Sequence, residues 1–182
     1  MITVPSCSAC NREFGKTDEI IRNLLISIDS TEIHSAVVEQ LADKRNRSLD
    51  RDGGIHSFNY FLENISLIDR YSEEGVYLGK HPAFELNTTE LDNFMERMGR
   101  GLLYDHCGIG YGDYKFDWKL SPPTNSFYNM PENLKKFILS GEMETFGDKV
   151  FSCAAYTYPG KIHSLWLLRF YDGIEFMLLI RE

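Results

Sequence analysis

Three strand-like runs make up the last third of the chain, at residues 150–158, 162–171 and 174–180. Pro159-Gly160 separates the first two runs and Asp172-Gly173 separates the last two. Both dipeptides are typical of turns, and the second is a strong hairpin signal. The sequence therefore predicts an antiparallel sheet of three or more strands at the C-terminal end.

The Asp172-Gly173 turn places Tyr171 opposite Ile174 and so assigns each side chain of the hairpin to a face. One face carries Leu165, Leu167, Phe176, Leu178 and Ile180, and the other carries Trp166, Leu168, Met177 and Leu179. Both faces are apolar, so each has to pack against another part of the protein or against a partner. We expect helices on one face and another layer, a loop or a second subunit on the other. The last alternative is a homodimer through the C-terminal strands.

The residues before the sheet are predicted to be mainly helical. Thr17 caps a first helix with apolar residues at three- and four-residue steps: Ile20, Ile21, Leu24, Leu25 and Ile28. A second helix covers about 30–42, and a third begins near Ser57 with Phe58, Phe61, Leu62 and Ile65 on one side. The other elements are two short strands at 76–80 and 83–86, a strand at 114–120 and a short helix that begins at Pro131-Glu132.

The longest predicted helix begins at Asn87 or Thr88. Its apolar stripe consists of Leu91, Phe94, Met95, Met98, Leu102 and Leu103. Gly99 and Gly101 lie inside this pattern, and each costs about 1 kcal/mol relative to alanine. Either another group approaches the backbone closely there, or the helix deforms.

Length and composition indicate a single α+β domain at 1–182. With 182 residues, 43% of them hydrophobic, the chain can close a core without crosslinks. We expect a zinc-knuckle-like segment at 1–16, a mainly helical part at 17–107 and a strand-rich part at 113–182. The helices of the N-terminal two-thirds would then pack on the C-terminal sheet. Since no stretch has the ~18 apolar residues of a membrane span and the first residues lack a secretion signal, we expect a cytoplasmic protein without a membrane partner.

The net charge of −8 opposes binding to a polyanion, so nucleic-acid binding needs a local basic patch. The candidate residues are Lys44, Arg45, Arg47 and Arg51, together with Arg97 and Arg100 beside Gly99. Arginine suits phosphate because its guanidinium group binds two oxygens at once. The alternative for both groups is a solvated surface, where cations also complement the C-terminal end of a helix dipole.

Cys7 and Cys10 have the Cys-x-x-Cys spacing of a zinc knuckle. A closed zinc site takes about four ligands, whereas Cys107 and Cys153 stand alone in the sequence. Zinc at this incomplete site is the one cofactor that the sequence suggests, and the alternative is a pair of idle thiols. His106 follows Asp105 and is a candidate base, although a structural histidine at a helix end is the commoner case.

Residues 4–19, around Cys7-Ser8-Ala9-Cys10-Asn11, resemble the second zinc knuckle of bacterial HNH-endonuclease-like proteins. Residues 97–104 are similar to an Arg-Gly-Leu-Tyr-type element of that family, and 151–176 resemble its closing strands. The resemblance implies a metal-dependent nuclease, in which an earlier Cys-x-x-Cys completes a structural zinc site and an Asp/Glu-His segment supplies the general base. This sequence matches only at Cys7, Cys10 and Asn11 of those motifs. We expect either a chain that begins inside a longer protein or a naturally reduced relative.

Three functions follow from the sequence. We favour a noncatalytic accessory domain that binds a partner or nucleic acid. The second is a metal-dependent nuclease whose missing ligands come from an absent N-terminal segment or from a symmetric dimer that holds one zinc between two Cys7-Cys10 pairs. The third is a structural or oligomeric interaction module whose apolar strands form the contact surface.

Overall fold

The computed structural model describes residues 8–28, 34, 35, 43, 59, 60, 62–72, 74–85, 88–108, 112–120, 132–140, 142–157 and 163–182. Its helices are α1 (Ser8–Leu25), α2 (Thr88–Cys107) and α3 (Glu132–Ser140). Its strands are β1 (Ile65–Tyr71), β2 (Tyr77–Phe84), β3 (Lys115–Leu120), β4 (Glu144–Phe146), β5 (Phe151–Thr157), β6 (Ser164–Phe170) and β7 (Ile174–Arg181). The α+β class is therefore confirmed, with one helix lying among the later strands.

Helix α1 begins at Ser8, so Thr17 lies inside the helix and the prediction that it forms the cap is wrong. The extra turns are held against α2 by Arg97, which pairs with Asp18 and lies 4.3 Å above the ring of Phe14. Such tertiary contacts offset the helix cost of about 1 kcal/mol for the glycine at position 15. The buried apolar residues of this region are Ile21, Leu24, Leu25 and Ile26.

Strands β1 and β2 form a separate two-stranded antiparallel ribbon. The prediction of two short strands on either side of His81-Pro82 is wrong, because β2 is continuous through both residues and pairs with β1. The predicted third helix also ends earlier than expected, since Ile65 is the first residue of β1. A hydrogen bond from the Glu85 amide to the Asn64 carbonyl, at 2.8 Å, closes the base of the ribbon.

Helix α2 matches its prediction. Of the expected apolar stripe, Leu91, Met95, Leu102 and Leu103 are buried, and Phe94 and Met98 are half-buried. The expectation of a close approach is confirmed at Gly99. A Cβ atom there would lie 2.7 Å from two ring carbons of Phe116 and 3.1 Å from Leu178 Cδ2. The missing side chain lets β3 and β7 pack directly on the helix backbone.

The main sheet has five strands in the order β3-β7-β6-β5-β4, and all neighbours are antiparallel. Strands β4 to β7 form a meander, and β3 adds to its free side beside β7. The three strands predicted for the last third of the chain are confirmed as β5, β6 and β7. The predicted strand at 114–120 corresponds to β3, whereas the short edge strand β4 was not predicted.

The register of the β6–β7 hairpin differs by one residue from the prediction. Phe170 pairs with Ile174, and Tyr171 and Asp172 both adopt positive φ, at 51° and 54°, in the turn. The turn is therefore the three residues Tyr171, Asp172 and Gly173, one residue longer than the two-residue turn that the Asp-Gly signal suggests. Because side chains alternate between faces, this shift reassigns the predicted faces.

Each face of the hairpin is buried within the chain. The first carries Trp166, Leu168, Phe170, Phe176, Leu178 and Ile180, which pack with α1 and α2. The second carries Leu165, Leu167 and Met177, which pack with Phe137 of α3 and with Met143, Ala154, Tyr156 and Leu179. The predicted helices on one side and further layer on the other are thus both found. A homodimer through these strands stays a prediction, and the chain itself already covers the side chains that suggested it.

Several predictions fall on residues that the structure does not describe. The second helix, at about 30–42, lies almost entirely outside the described residues. So do Cys7 and the four cations Lys44, Arg45, Arg47 and Arg51. In the described parts of the chain, no helix combines the length and the apolar character needed to span a bilayer.

Candidate functional site

The predicted zinc ligands are not brought into a describable site. Cys10 lies in the first turns of α1, and Cys7 lies just before the described residues. Residues 8 to 16 of the predicted zinc-knuckle-like segment are helical. Among the described residues, no three histidine, cysteine, aspartate or glutamate side chains form a group that could hold a metal ion. Zinc binding by Cys7 and Cys10 therefore stays a prediction.

Two further cysteines lie within the described region, and both are free thiols. Cys107 ends α2 and is exposed, whereas Cys153 of β5 is buried. The pKa of the Cys153 thiol is raised from 9.0 to about 11, chiefly by burial and in smaller part by the nearby carboxylates Glu144 and Asp105. Since the reactive form of cysteine is the thiolate, Cys153 has the properties of a core residue rather than of a nucleophile.

Arg97 and Arg100, the two described members of the predicted nucleic-acid site, are both engaged with neighbouring groups. Arg97 pairs with Asp18 and covers the Phe14 ring. Arg100 binds Glu96 Oε1 at 2.9 Å, donates to the Gly112 carbonyl at 3.2 Å and lies 5.1 Å above the ring of Phe116. These contacts hold α2 against α1 and the loop before β3. Phosphate binding by these arginines stays a prediction, and it would have to compete with the carboxylates.

His106, the candidate base, lies in the last turn of α2. Its ring meets the edge of the Trp166 ring at 5.5 Å, and the Trp166 indole nitrogen donates to Ser164 Oγ at 3.0 Å. This arrangement packs the end of α2 onto β6. It agrees with the structural alternative for this histidine.

The β1–β2 ribbon is the feature that packing among the described residues does not explain. All seven residues of β1 are exposed. Eight large apolar residues of the ribbon and its base are between 50% and 66% exposed: Leu62, Ile65, Leu67, Ile68, Tyr71, Val76, Tyr77 and Leu78. They occupy both faces of the ribbon, because Leu67 and Ile68 are neighbours in the same strand. Exposed apolar patches of this kind mark interaction surfaces.

The tip of the ribbon is ordered by local contacts among its own side chains. The rings of Tyr71 and Tyr77 lie 5.5 Å apart, and the Tyr77 hydroxyl donates to Asp69 Oδ1 at 3.3 Å. Ser72 closes the turn, since its amide donates to the Val76 carbonyl at 2.8 Å. The Ser72 hydroxyl accepts hydrogen bonds from the backbone amides of Glu74 and Val76, each at 3.2 Å. Hydrogen bonding of the exposed Glu74 carboxylate with the Ser72 side chain, and secondly with the Glu74 backbone amide, lowers the pKa of that carboxyl. These contacts fix the positions of the side chains at the apolar tip.

The predicted sites did not include this ribbon. The run Ile65-Ser66-Leu67-Ile68-Asp69-Arg70-Tyr71 was partly assigned to a helix, because Ile65 continues a helical spacing from Phe58 and Phe61. Its β-branched and aromatic residues, followed by a serine-, glutamate- and glycine-containing turn, are the signal that favours a strand. Comparison of the chain with protein-family models, with curated proteins and with solved structures gives no match.

Proposed function

We propose that this chain is a noncatalytic domain that binds a protein partner through the β1–β2 ribbon. The observation that carries the proposal is the exposure of eight large apolar side chains on one small element. Half of a large side chain is about 100 Å², so the two faces of the ribbon together present about 800 Å² of apolar surface to a partner that contacts both faces. A standard protein–protein interface takes about 800 Å² from each partner, whereas the largest apolar patch of a typical monomer is about 300–600 Å².

The charges of the ribbon favour a protein over nucleic acid or an anionic membrane. Between 65 and 84 the sequence has Asp69, Glu73 and Glu74 against Arg70 and Lys80. Polyanion and anionic-lipid binding both need an excess of lysine and arginine near the contact. The net charge of −8 for the whole chain acts in the same direction.

The surroundings of Cys153 and His106 favour a binding role over a catalytic one. Cys153 keeps its proton far above neutral pH, and His106 packs against Trp166. General base catalysis needs a base that can reach a substrate proton, and the buried Cys153 is not so placed. His106 is exposed, but its ring packs on Trp166 at the end of a helix, which favours a structural role. We further propose that the chain descends from HNH-endonuclease-like proteins as an accessory form, on the resemblance around Cys7, Cys10 and Asn11.

Photo-crosslinking in living bacterial cells tests the binding role. A photoreactive amino acid replaces Leu67, which is 66% exposed on β1, or Leu120, which is 54% exposed on the edge strand β3. Neither replacement disturbs the core, because both side chains are on the surface. We expect a discrete protein adduct from position 67 and none above background from position 120. The proposal is wrong if position 67 gives no more adduct than position 120.

A further inference from the structure

We infer that the partner is a second copy of this chain, which pairs with the outer edge of β1 in antiparallel orientation to form a four-stranded sheet. The inference rests on the proposed function, since it names the partner of the same ribbon. Isologous pairing about a two-fold axis is the commonest way in which soluble chains form dimers. A two-stranded ribbon alone is marginally stable in water, and two further strands would stabilise it.

The two edges of the ribbon are not equivalent. Pro82 in β2 has no N–H to donate, and it is tolerated in a sheet only where that position faces away from the partner strand. The register also shifts at Arg70 and Tyr71, so that Leu78 is an extra residue in β2. Proline and bulges are the devices that protect an edge from further pairing. Strand β1 contains no proline and has no extra residue, and no strand in the described ranges pairs with its outer edge, so this is the edge that can accept a further strand.

The sequence of β1 is compatible with pairing to itself over the full strand. Its middle residue, Ile68, then lies on the two-fold axis, opposite the partner's Ile68. The other pairs are Ile65 with the partner's Tyr71, Ser66 with the partner's Arg70, and Leu67 with the partner's Asp69. No like charges face each other in this register, and aromatic and β-branched pairs stabilise antiparallel sheets. Moving the axis to Asp69 or Arg70 would place like charges directly opposite, which is destabilising.

The same overlap accounts for the exposed residues outside β1. Antiparallel pairing carries the tip of each ribbon to the base of the other, because β1 runs from base to tip. Tyr71 and Val76 at one tip then approach the partner's Leu62, which is also more than half exposed. A short peptide added to β1 would leave these residues in water. In a dimer with two-fold symmetry this contact is made twice, once at each end of the paired strands.

Cysteine crosslinking tests the register. Each variant is made with Cys7, Cys10 and Cys107 replaced by serine, which leaves only the buried Cys153. Ile68→Cys places two thiols at opposite positions, where the Cα separation of about 4.5–5.5 Å permits a disulfide. Ser66→Cys is the matched control on the same face, since its two copies would lie about 13 Å apart along the strand.

We expect Ile68→Cys to form a species of twice the 21.0 kDa chain mass at least tenfold faster than Ser66→Cys under mild oxidation. Adding Arg70→Cys to Ser66→Cys is expected to restore rapid crosslinking. All three positions are exposed, so folding is not at risk. Equal rates for Ile68→Cys and Ser66→Cys, or no crosslinking at either, overturn the inference.

Mass in solution separates this inference from the proposed function. By light scattering we expect the unmodified chain at twice 21.0 kDa, Ile68→Lys at the single-chain mass and Leu120→Lys unchanged from the parent. A single-chain mass for the parent, together with an adduct of another size at position 67, would refute the second copy and leave a protein-binding ribbon. A single-chain mass without any adduct would refute both.

Discussion

Gly99 allows the Phe116 ring to lie directly against the backbone of α2. In Gly99→Ala the new Cβ would meet two ring carbons at 2.7 Å, closer than carbon atoms pack. We expect the free energy of unfolding to fall by about 1–3 kcal/mol from overpacking, less the part returned by the better helix propensity of alanine. The midpoint of urea denaturation measures this loss.

Gly15 in α1 provides the matched control, because no heavy atom lies within 4 Å of a Cβ built there. Gly15→Ala is expected to stabilise the protein by about 0.5–1 kcal/mol through helix propensity alone. The sequence indicates a constraint at Gly99 and Gly101, but only the fold reveals that the Phe116 ring is the group that approaches Gly99. The packing account fails if Gly99→Ala is as stable as the parent chain.

Cys153 makes stability depend on pH in the alkaline range. Its pKa is about 11 in the folded chain and near 9.0 in the unfolded one, so the folded state retains a proton that the unfolded state releases. This contribution is complete below pH 9 and is lost as the pH rises towards 11. We expect a fall on the order of 2 kcal/mol in the free energy of unfolding across that window.

Chemical denaturation at pH 7 and pH 10.5 measures the effect, with Cys153→Ala as the comparison. Burial also raises the pKa of Tyr171, although Arg22 lowers it in part, so a smaller decrease of the same sign should remain in the variant. Identical pH dependence in the parent and in Cys153→Ala would contradict the assignment.

At the level of elements, the sequence predicts those helices and strands that have a regular apolar repeat or a turn signal at their ends. Five elements have apolar residues at the regular spacing of a helix or a strand, and the structure confirms all five: α2, β3, β5, β6 and β7. The start of α1 was missed because the contacts of Phe14 and Asp18 with Arg97 join residues far apart in sequence. No local pattern reports such contacts.

The ribbon and the hairpin register were missed for different physical reasons. In β1 the apolar residues face water on both sides, so the alternation of a half-buried strand is absent. In the β6–β7 turn, Tyr171 and Asp172 adopt positive φ before the glycine that signals it. Residues other than glycine rarely do so, and the burial of Tyr171 helps to hold this conformation. The candidate site was therefore not predictable from residue chemistry alone.

Helix α3 covers the second face of the main sheet, chiefly through Phe137. Its ring lies 5.6 Å from that of Tyr156 and packs on Leu165, Leu167 and Met177. Phe137→Ala is expected to lower the free energy of unfolding by about 2 kcal/mol, roughly half the cost of truncating a fully buried phenylalanine. It should also increase binding of an apolar dye, because the second face is uncovered.

Lys136→Ala on the exposed side of the same helix controls for changes in helix propensity. It should leave both the denaturation midpoint and the dye signal close to those of the parent. If Phe137→Ala and Lys136→Ala unfold at the same denaturant concentration, α3 does not act as the cover of the sheet.

At the scale of the whole molecule, two parts differ in how their apolar residues are placed. Both faces of the β6–β7 hairpin are packed against other elements, whereas the apolar residues of the β1–β2 ribbon face water. Natural proteins rarely leave an unprotected strand edge in contact with solvent, because it promotes association. Here the edge of β2 carries protective features and the edge of β1 does not. Within the ribbon, this asymmetry leaves one edge for pairing, so association through the proposed contact would stop at a dimer.

The distribution of charge over the whole molecule gives the last prediction. A net charge of −8, with Arg97 and Arg100 already paired to Asp18 and Glu96, should leave too little positive potential to hold duplex DNA. We expect no retention on immobilised DNA at about 50 mM salt, where phosphate contacts are strongest. Retention at that salt and release at about 200 mM would instead indicate a phosphate-binding patch. Loss of that retention on replacing Lys44, Arg45, Arg47 and Arg51 with glutamine, but not on replacing Arg97 and Arg100, would locate the patch outside α2.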